Sequence, residues 1–153
     1  MTQELNRGST ALAQCSGRLS LKTSGAGFYE ITDKLDRWLH TVHSDRGVLT
    51  VFIQHTSASL VIQENADPDV QYDLANALNK IAPENAVYRH SQEGPDDMPA
   101  HIKSMVTNTS LVIPIESAKM ALGTWQGVYV IEHRRQPHTR ELAMNFMGSF
   151  LIL

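Results

Sequence analysis

The chain is poor in cysteine. Cys15 is its one thiol in 153 residues, so no disulfide can staple it from within. No apolar run approaches the length needed to span a bilayer, and Met1-Thr2-Gln3-Glu4-Leu5-Asn6 lacks the basic-then-apolar pattern of a signal peptide. Excess charge is scarce as well. The formal net charge is -3, and the basic residues are scattered apart from Arg134-Arg135 and Arg140, which leaves no field to gather nucleic acid. These absences predict a protein of the reducing cytoplasm with neither a membrane nor a nucleic acid as partner. What remains is ordinary globular composition, 42% hydrophobic and 19% charged, at a length that buries a core without staples.

The hydrophobic pattern predicts an α+β order. Residues 1–16 are polar and weakly patterned and read as a loose leader, with a single domain over 17–153. Leu19-Ser20-Leu21-Lys22-Thr23 alternates, glycines punctuate, and Phe28-Tyr29-Glu30-Ile31 resumes, the signature of a hairpin. Leu35, Trp38, Leu39 and Val42 recur at helical spacing after Thr32-Asp33, with Gly47 as the stop. Two strand-like runs, residues 48–53 and 60–62, flank His55-Thr56-Ser57. A second helix opens at Asp67-Pro68 and carries Val70, Leu74, Ala75, Leu78 and Ile81 on one face until Pro83. Residues 111–115, 128–131 and 142–153 supply three more strands. The sum is β-β-α-β-β-α-β-β-β with antiparallel sheets. Residues 83–107 form a long remainder, within which 99–106 fits a short helix favoured by Asp96 and Asp97 at its start.

The reactive side chains gather beside these runs. Neutral imidazoles are common zinc ligands, usually three protein ligands with an open position in a catalytic site, so His55, His90, His101 and His133 form the candidate set. Their separations match no compact zinc motif. His40, His43 and His138 lie in polar surroundings and read as solvated. Glu93, Asp96 and Asp97 suit roles as ligands, as a general base, or as partners that hold the second nitrogen of a ligating histidine. Strand alternation would put Glu132 and Arg134 on one face and His133 on the other. Gly123-Thr124-Trp125-Gln126-Gly127 can present backbone N–H groups to an anion, with Lys103, Arg134 or Arg140 completing the charge, although a plain tight turn packed by Trp125 is the usual outcome for such a string. Thr56 and Ser57 can bond a substrate, but no nucleophile elbow surrounds them.

Several of these strings occur together and in order. His55-Thr56-Ser57-Ala58-Ser59-Leu60, Glu64-Asn65 with Asp67-Pro68, Glu93-Gly94 with Asp96-Asp97-Met98-Pro99 and His101-Ile102-Lys103, and Gly123-Thr124-Trp125-Gln126-Gly127 with Glu132-His133-Arg134 resemble the YjbQ-like family, also called the secondary thiamine-phosphate synthase family. The likeness covers residues 17–140. It implies an antiparallel β-sandwich-like α+β domain assembled as a homotrimer around a threefold axis. It also implies a weak thiamine-phosphate synthase activity, joining a pyrimidine diphosphate to a thiazole phosphate with loss of pyrophosphate. The matching polar positions are His55, Ser57, Asn65, Asp67, Glu93, Asp97, His101, Lys103, Thr124, Gln126, Glu132, His133 and Arg134.

Such a transfer needs charge neutralised on the leaving group, which a divalent metal together with Lys103 or Arg134 would supply. The assignment that results gives catalysis to Glu93, Asp97, Glu132 and Ser57. Phosphorylated-substrate binding falls to Lys103, Thr124, Gln126, Arg134 and Asn65. The metal, zinc in preference to magnesium, falls to His55, His90, His101 and His133. Two other readings use the same residues: a metal-dependent phosphoester hydrolase in which Glu93 or Asp97 activates water, and a protein that binds a phosphorylated metabolite without turnover.

Overall fold

A computed structural model describes residues 13–151. Eight strands and three helices follow one another as β1 (Ala13–Thr23), β2 (Gly27–Glu30), α1 (Thr32–Thr41), β3 (Ser44–Ile53), β4 (Ala58–Glu64), α2 (Pro68–Ile81), α3 (Asp97–Met105), β5 (Ser110–Glu116), β6 (Lys119–Met120), β7 (Gln126–Glu132) and β8 (His138–Phe150). The mixed α+β class is as the pattern predicts. All the strand pairs are antiparallel, in a five-stranded sheet ordered β1-β8-β3-β5-β6 and a three-stranded sheet ordered β2-β7-β4.

Parity along the strands explains how the layers close. Leu49, Val51 and Ile53 of β3, Leu142, Met144 and Phe146 of β8, and Ile113 of β5 point from the large sheet into one core. Ala58 and Leu60 of β4 with Val128 and Val130 of β7 meet them from the small sheet, and Leu35 and Leu39 of α1, four apart, add a helical face. The other face of the small sheet lies under α2. That helix is started by Asp67, whose carboxylate accepts the Asp69 N–H at 2.9 Å, and by Pro68 in the first turn. None of its residues is fully buried.

Four expectations need correction. The segment 19–31 is no hairpin: β1 pairs with β8 and β2 with β7, so the glycine-containing link crosses between sheets. Gly47 does not stop α1. The helix ends at Thr41, with His43 at a φ of 53°, and Gly47 lies inside β3 opposite Gly148, where a Cβ on either glycine would strike the neighbouring strand's backbone. Residues 13–16 belong to the sheet, because β8 runs long enough to pair with Gln14, Cys15 and Ser16 despite their weak pattern; the rest of the proposed leader lies outside the described residues. The short helix expected over 99–106 is present as α3, whereas the two-residue β6, which pairs with β5 and extends the large sheet, was not foreseen. The last strand starts at His138, earlier than its apolar run, and positions 152–153 lie outside the described residues.

The outward parity of the large sheet is apolar too. Met147, Val48 and Pro114 form one cross-strand row, Asn145, Thr50 and Val112 the next, and Ala143, Phe52 and Ser110 a third. Val112 is 65% exposed, and Val48, Phe52 and Met147 are exposed beside it.

Candidate metal centre and the buried network behind it

Helix α3 begins with its key carboxylate. Asp97 sits in the first turn, 1% exposed, where the helix dipole favours negative charge. One oxygen, Oδ2, lies 2.7 Å from His90 Nε2 and 3.4 Å from His101 Nε2, the latter one helical turn along. The two imidazoles meet edge-on, with ring centres 5.6 Å apart. His90, Asp97 and His101 thus place three ligand atoms within 4.8 Å of one another. Both histidines are partly exposed, which leaves an approach from solvent.

The backbone fixes one tautomer. His101 Nδ1 lies 3.0 Å from the Thr56 carbonyl, which can only accept, so in the neutral ring Nδ1 carries the proton and Nε2 presents its lone pair. Two acceptors, that lone pair and the Asp97 carboxylate, then face each other. A cation between them would make the arrangement attractive, and a histidine held through its far nitrogen by a carbonyl is the usual support of a metal ligand. Zinc accepts this donor set of two imidazoles and a carboxylate with an open position.

Arg134 secures the carboxylates from behind. Its guanidinium donates to Asp97 Oδ1, to Asp96 Oδ2 at 3.1 Å and to the Glu93 carbonyl at 2.8 Å, while the Arg135 N–H donates to Asp96 at 2.9 Å. Burial opposes ionisation of Asp96, but these donors and the Arg134 charge outweigh it and hold its pKa below the usual value. Glu93 contributes its carbonyl here; its side chain is exposed.

Glu132 belongs to a different cluster. Its parity follows Val128 and Val130, so its carboxylate points between the sheets, where Thr23 of β1, Arg140 of β8 and His55, two residues beyond the end of β3, gather. Arg140 grips it bidentately, with Nε at 2.7 Å and Nη2 at 2.5 Å, and the Thr23 hydroxyl and the Arg134 N–H each donate at 2.9 Å. Burial pushes the Glu132 pKa up, yet the Arg140 hydrogen bonds and charge prevail and hold it low. The same Arg140 donates to Ser57 Oγ at 3.1 Å and approaches His55 Nδ1 at 3.3 Å. His55 Nε2 accepts the Glu141 N–H at 2.7 Å. Burial, reinforced by Arg140, lowers the His55 pKa. Glu132, Ser57 and His55 are therefore engaged with Arg140 and the backbone, away from the three-ligand group.

His133, one residue on, takes the opposite face. Its Nε2 lies 2.9 Å from Ser59 Oγ, and the ring is 5% exposed. Burial first, then the nearby Lys103 charge, pushes its pKa down to about 4. An unfolded chain takes this proton near pH 6.5 and the folded chain only near 4, so acid favours unfolding across that window. Above it the residue is neutral in both states and has no effect; by pH 4 the loss reaches about 3 kcal/mol. His133→Asn is expected to remove this part of the acid sensitivity. An NMR titration that put the ring at its ordinary midpoint would contradict the buried neutral imidazole.

Lys103 also faces away from the three ligands. Two positions along α3 from His101, it lies about 200° around the helix and donates from Nζ to Asn79 Oδ1 at 2.7 Å. Thr124, Gln126 and Asn65 are more distant. The register pairs Ala58 with Glu132 but Glu64 with Gln126, six residues or roughly 20 Å along the strands. There Gln126 Oε1 accepts the Gly123 N–H at 2.8 Å in a tight turn, the Asn65 N–H donates to the Trp125 carbonyl at 3.0 Å, and Trp125 is exposed rather than packed. Within one chain these residues do not meet the histidines.

Comparison with known proteins agrees with this architecture. The family model described as UPF0047 protein YjbQ-like matches residues 17–149. The chain belongs to the YjbQ-like UPF0047 family. A UPF0047 protein of Synechocystis sp. is 48% identical over 132 residues, 86% of this chain and 90% of the relative, and YjbQ of Escherichia coli O157:H7 is 39% identical over 86% and 96%. Among solved structures, an uncharacterised YjbQ/UPF0047 protein from Clostridium acetobutylicum superposes with a TM-score of 0.78 at 38% identity, covering 84% of this chain and 98% of that one. A hypothetical protein from Aeropyrum pernix reaches 0.80 at 25% identity over 88% and 98%. No helix among the described residues is long and apolar enough to cross a membrane.

Two contributors, Thr23 and Asn79, were absent from the sequence-based candidates, and Thr56 acts through its carbonyl rather than the hydroxyl considered there. A backbone carbonyl leaves no trace in residue type, and Thr23 and Asn79 sit inside ordinary strand and helix patterns.

Proposed function

We propose that the chain is an enzyme that handles a phosphorylated small molecule at a divalent metal, preferably zinc, held by His90, Asp97 and His101. The observation that carries this reading is the convergence of the three ligand atoms, with His101 oriented by the Thr56 carbonyl and Asp97 by Arg134. The family resemblance supplies the reaction class, a weak thiamine-phosphate synthase activity. In it a carbon–oxygen bond to pyrophosphate breaks as a carbon–nitrogen bond to the thiazole forms. The ion would neutralise charge on the departing phosphates, and the chain's part is to hold the ligands, exclude wrong geometry and keep Asp97 ionised through Arg134.

Assembly as a homotrimer belongs to the same proposal. The exposed rows around Val48, Phe52, Val112 and Met147 form an apolar sheet face of the kind a symmetric interface covers. In a trimer the distant loop with Thr124, Gln126 and Asn65 of one copy can serve the cleft of the next.

Zinc content and turnover test the reading together. Unchelated protein is expected to hold about one zinc per chain and to convert the two phosphorylated precursors to thiamine phosphate with release of pyrophosphate, both lost on chelation. Less than about a tenth of a zinc per chain after zinc addition would remove the metal site. Phosphoester hydrolysis without joining would instead favour the hydrolase reading.

A further inference from the structure

Beneath α2 lies a cavity of about 190 Å³ that the metal reading leaves unused. We propose that it binds a small planar ring bearing a carboxylate or comparably compact anion. A cavity of about 150 Å³ suffices to hold benzene, so one substituted ring fits here. The walls are apolar. Phe28 of β2 and Ile131 of β7 form the floor, and Ala75 and Leu78 of α2 the roof, with Phe28 able to meet a ring edge-on or offset.

Two buried nitrogen groups read the anion. Lys103, 6% exposed, borders the cavity and commits one of its three protons to Asn79. His133 borders it too. Its Nε2 is engaged by Ser59, which leaves Nδ1 as the ring nitrogen able to meet a ligand. When the Ser59 hydroxyl donates to Nε2, Nδ1 carries the proton and donates to the ligand. The tautomer can thus follow the ligand without any gain of charge on the ring. Glu84 and Asp96 lie within electrostatic reach of Lys103, but neither lines the cavity. Glu132 borders the same cavity, but its oxygens are engaged by Arg140 and Thr23 on the other face.

The full chain, titrated by amide NMR in the presence of a chelator, tests this independently of the metal. Benzoate is the probe, with benzamide and acetate as controls for charge and ring. Benzoate is expected to shift cavity residues saturably, at about millimolar affinity or tighter as its size allows. Each control should bind at least about tenfold more weakly. Ala75→Leu, which fills the roof without altering charge, and Lys103→Met should each weaken benzoate at least about tenfold. Should Lys103→Met fail to fold, Ala75→Leu decides. Absence of saturable shifts at the cavity, or undiminished binding in Ala75→Leu, overturns the site; equal binding of benzamide overturns its preference for an anion.

Discussion

Arg140→Met is expected to destabilise the fold by about 3–5 kcal/mol, read as a lower urea midpoint at neutral pH. The side chain volumes are similar, so the loss comes from what is left behind. Glu132 is 1% exposed and would lose both guanidinium hydrogen bonds, while Ser57 Oγ would lose its donor. The pH dependence gives the cause away. The Glu132 pKa is held below its ordinary value near 4.5, so the pair's stabilisation is present above that pH and is lost as the pH falls through the folded value. In the variant the buried carboxyl would protonate readily, and the gap between variant and parent should narrow in acid. A loss below about 1 kcal/mol at neutral pH, or a gap independent of pH, would mean that Thr23 and the Arg134 N–H satisfy Glu132 alone.

That network shows why part of the fold was legible and part was not. Residues 111–115 are a short apolar run of β-branched and aliphatic residues, which was enough to read β5, and Asp67-Pro68 announces α2 by its capping chemistry. Neither cue says which strand pairs with which. Phe28 and Leu21 share a local alternation that suggests a hairpin, yet β1 finds β8 over a hundred residues later, a choice made by the shared core and not by local propensity. Gly47 looked like a helix stop because glycine usually punctuates; its actual constraint, the close approach of Gly148, is invisible until the strands are paired.

The candidate site divides along the same line. Four histidines of similar local surroundings were equal candidates, and only tertiary parity separates them. His55 continues the inward parity of β3 and meets Arg140; His133 takes the outward parity of β7 and meets Ser59; His90 and His101 alone share Asp97. Glu132 and His133 are adjacent in sequence and lie on opposite faces of one strand, as alternation predicts, whereas Arg134 has left the strand and turned to α3.

Asp97→Asn is expected to lower zinc affinity by more than about a hundredfold, the upper end of what changes around a metal's ligands produce. The substitution is nearly isosteric, and its carbonyl oxygen can still accept from Arg134, so the fold should persist. What goes is the negative charge shared by His90 and His101, which are 2.7 and 3.4 Å from Oδ2. Competition against a chromophoric chelator reads the affinity, and circular dichroism confirms the fold. His101→Ala should match this loss, whereas Lys103→Ala, on the far side of α3, should keep its zinc. The contrast matters because Asp97 also anchors Arg134, and a purely structural aspartate would show a different pattern. Unfolding without a change in zinc affinity would assign Asp97 to that ion pair alone. Equal zinc loss in all three variants would mean that α3 had been disturbed as a whole, and His90 and His101 would then have to be judged by ligand-exchange spectroscopy on the unmodified chain.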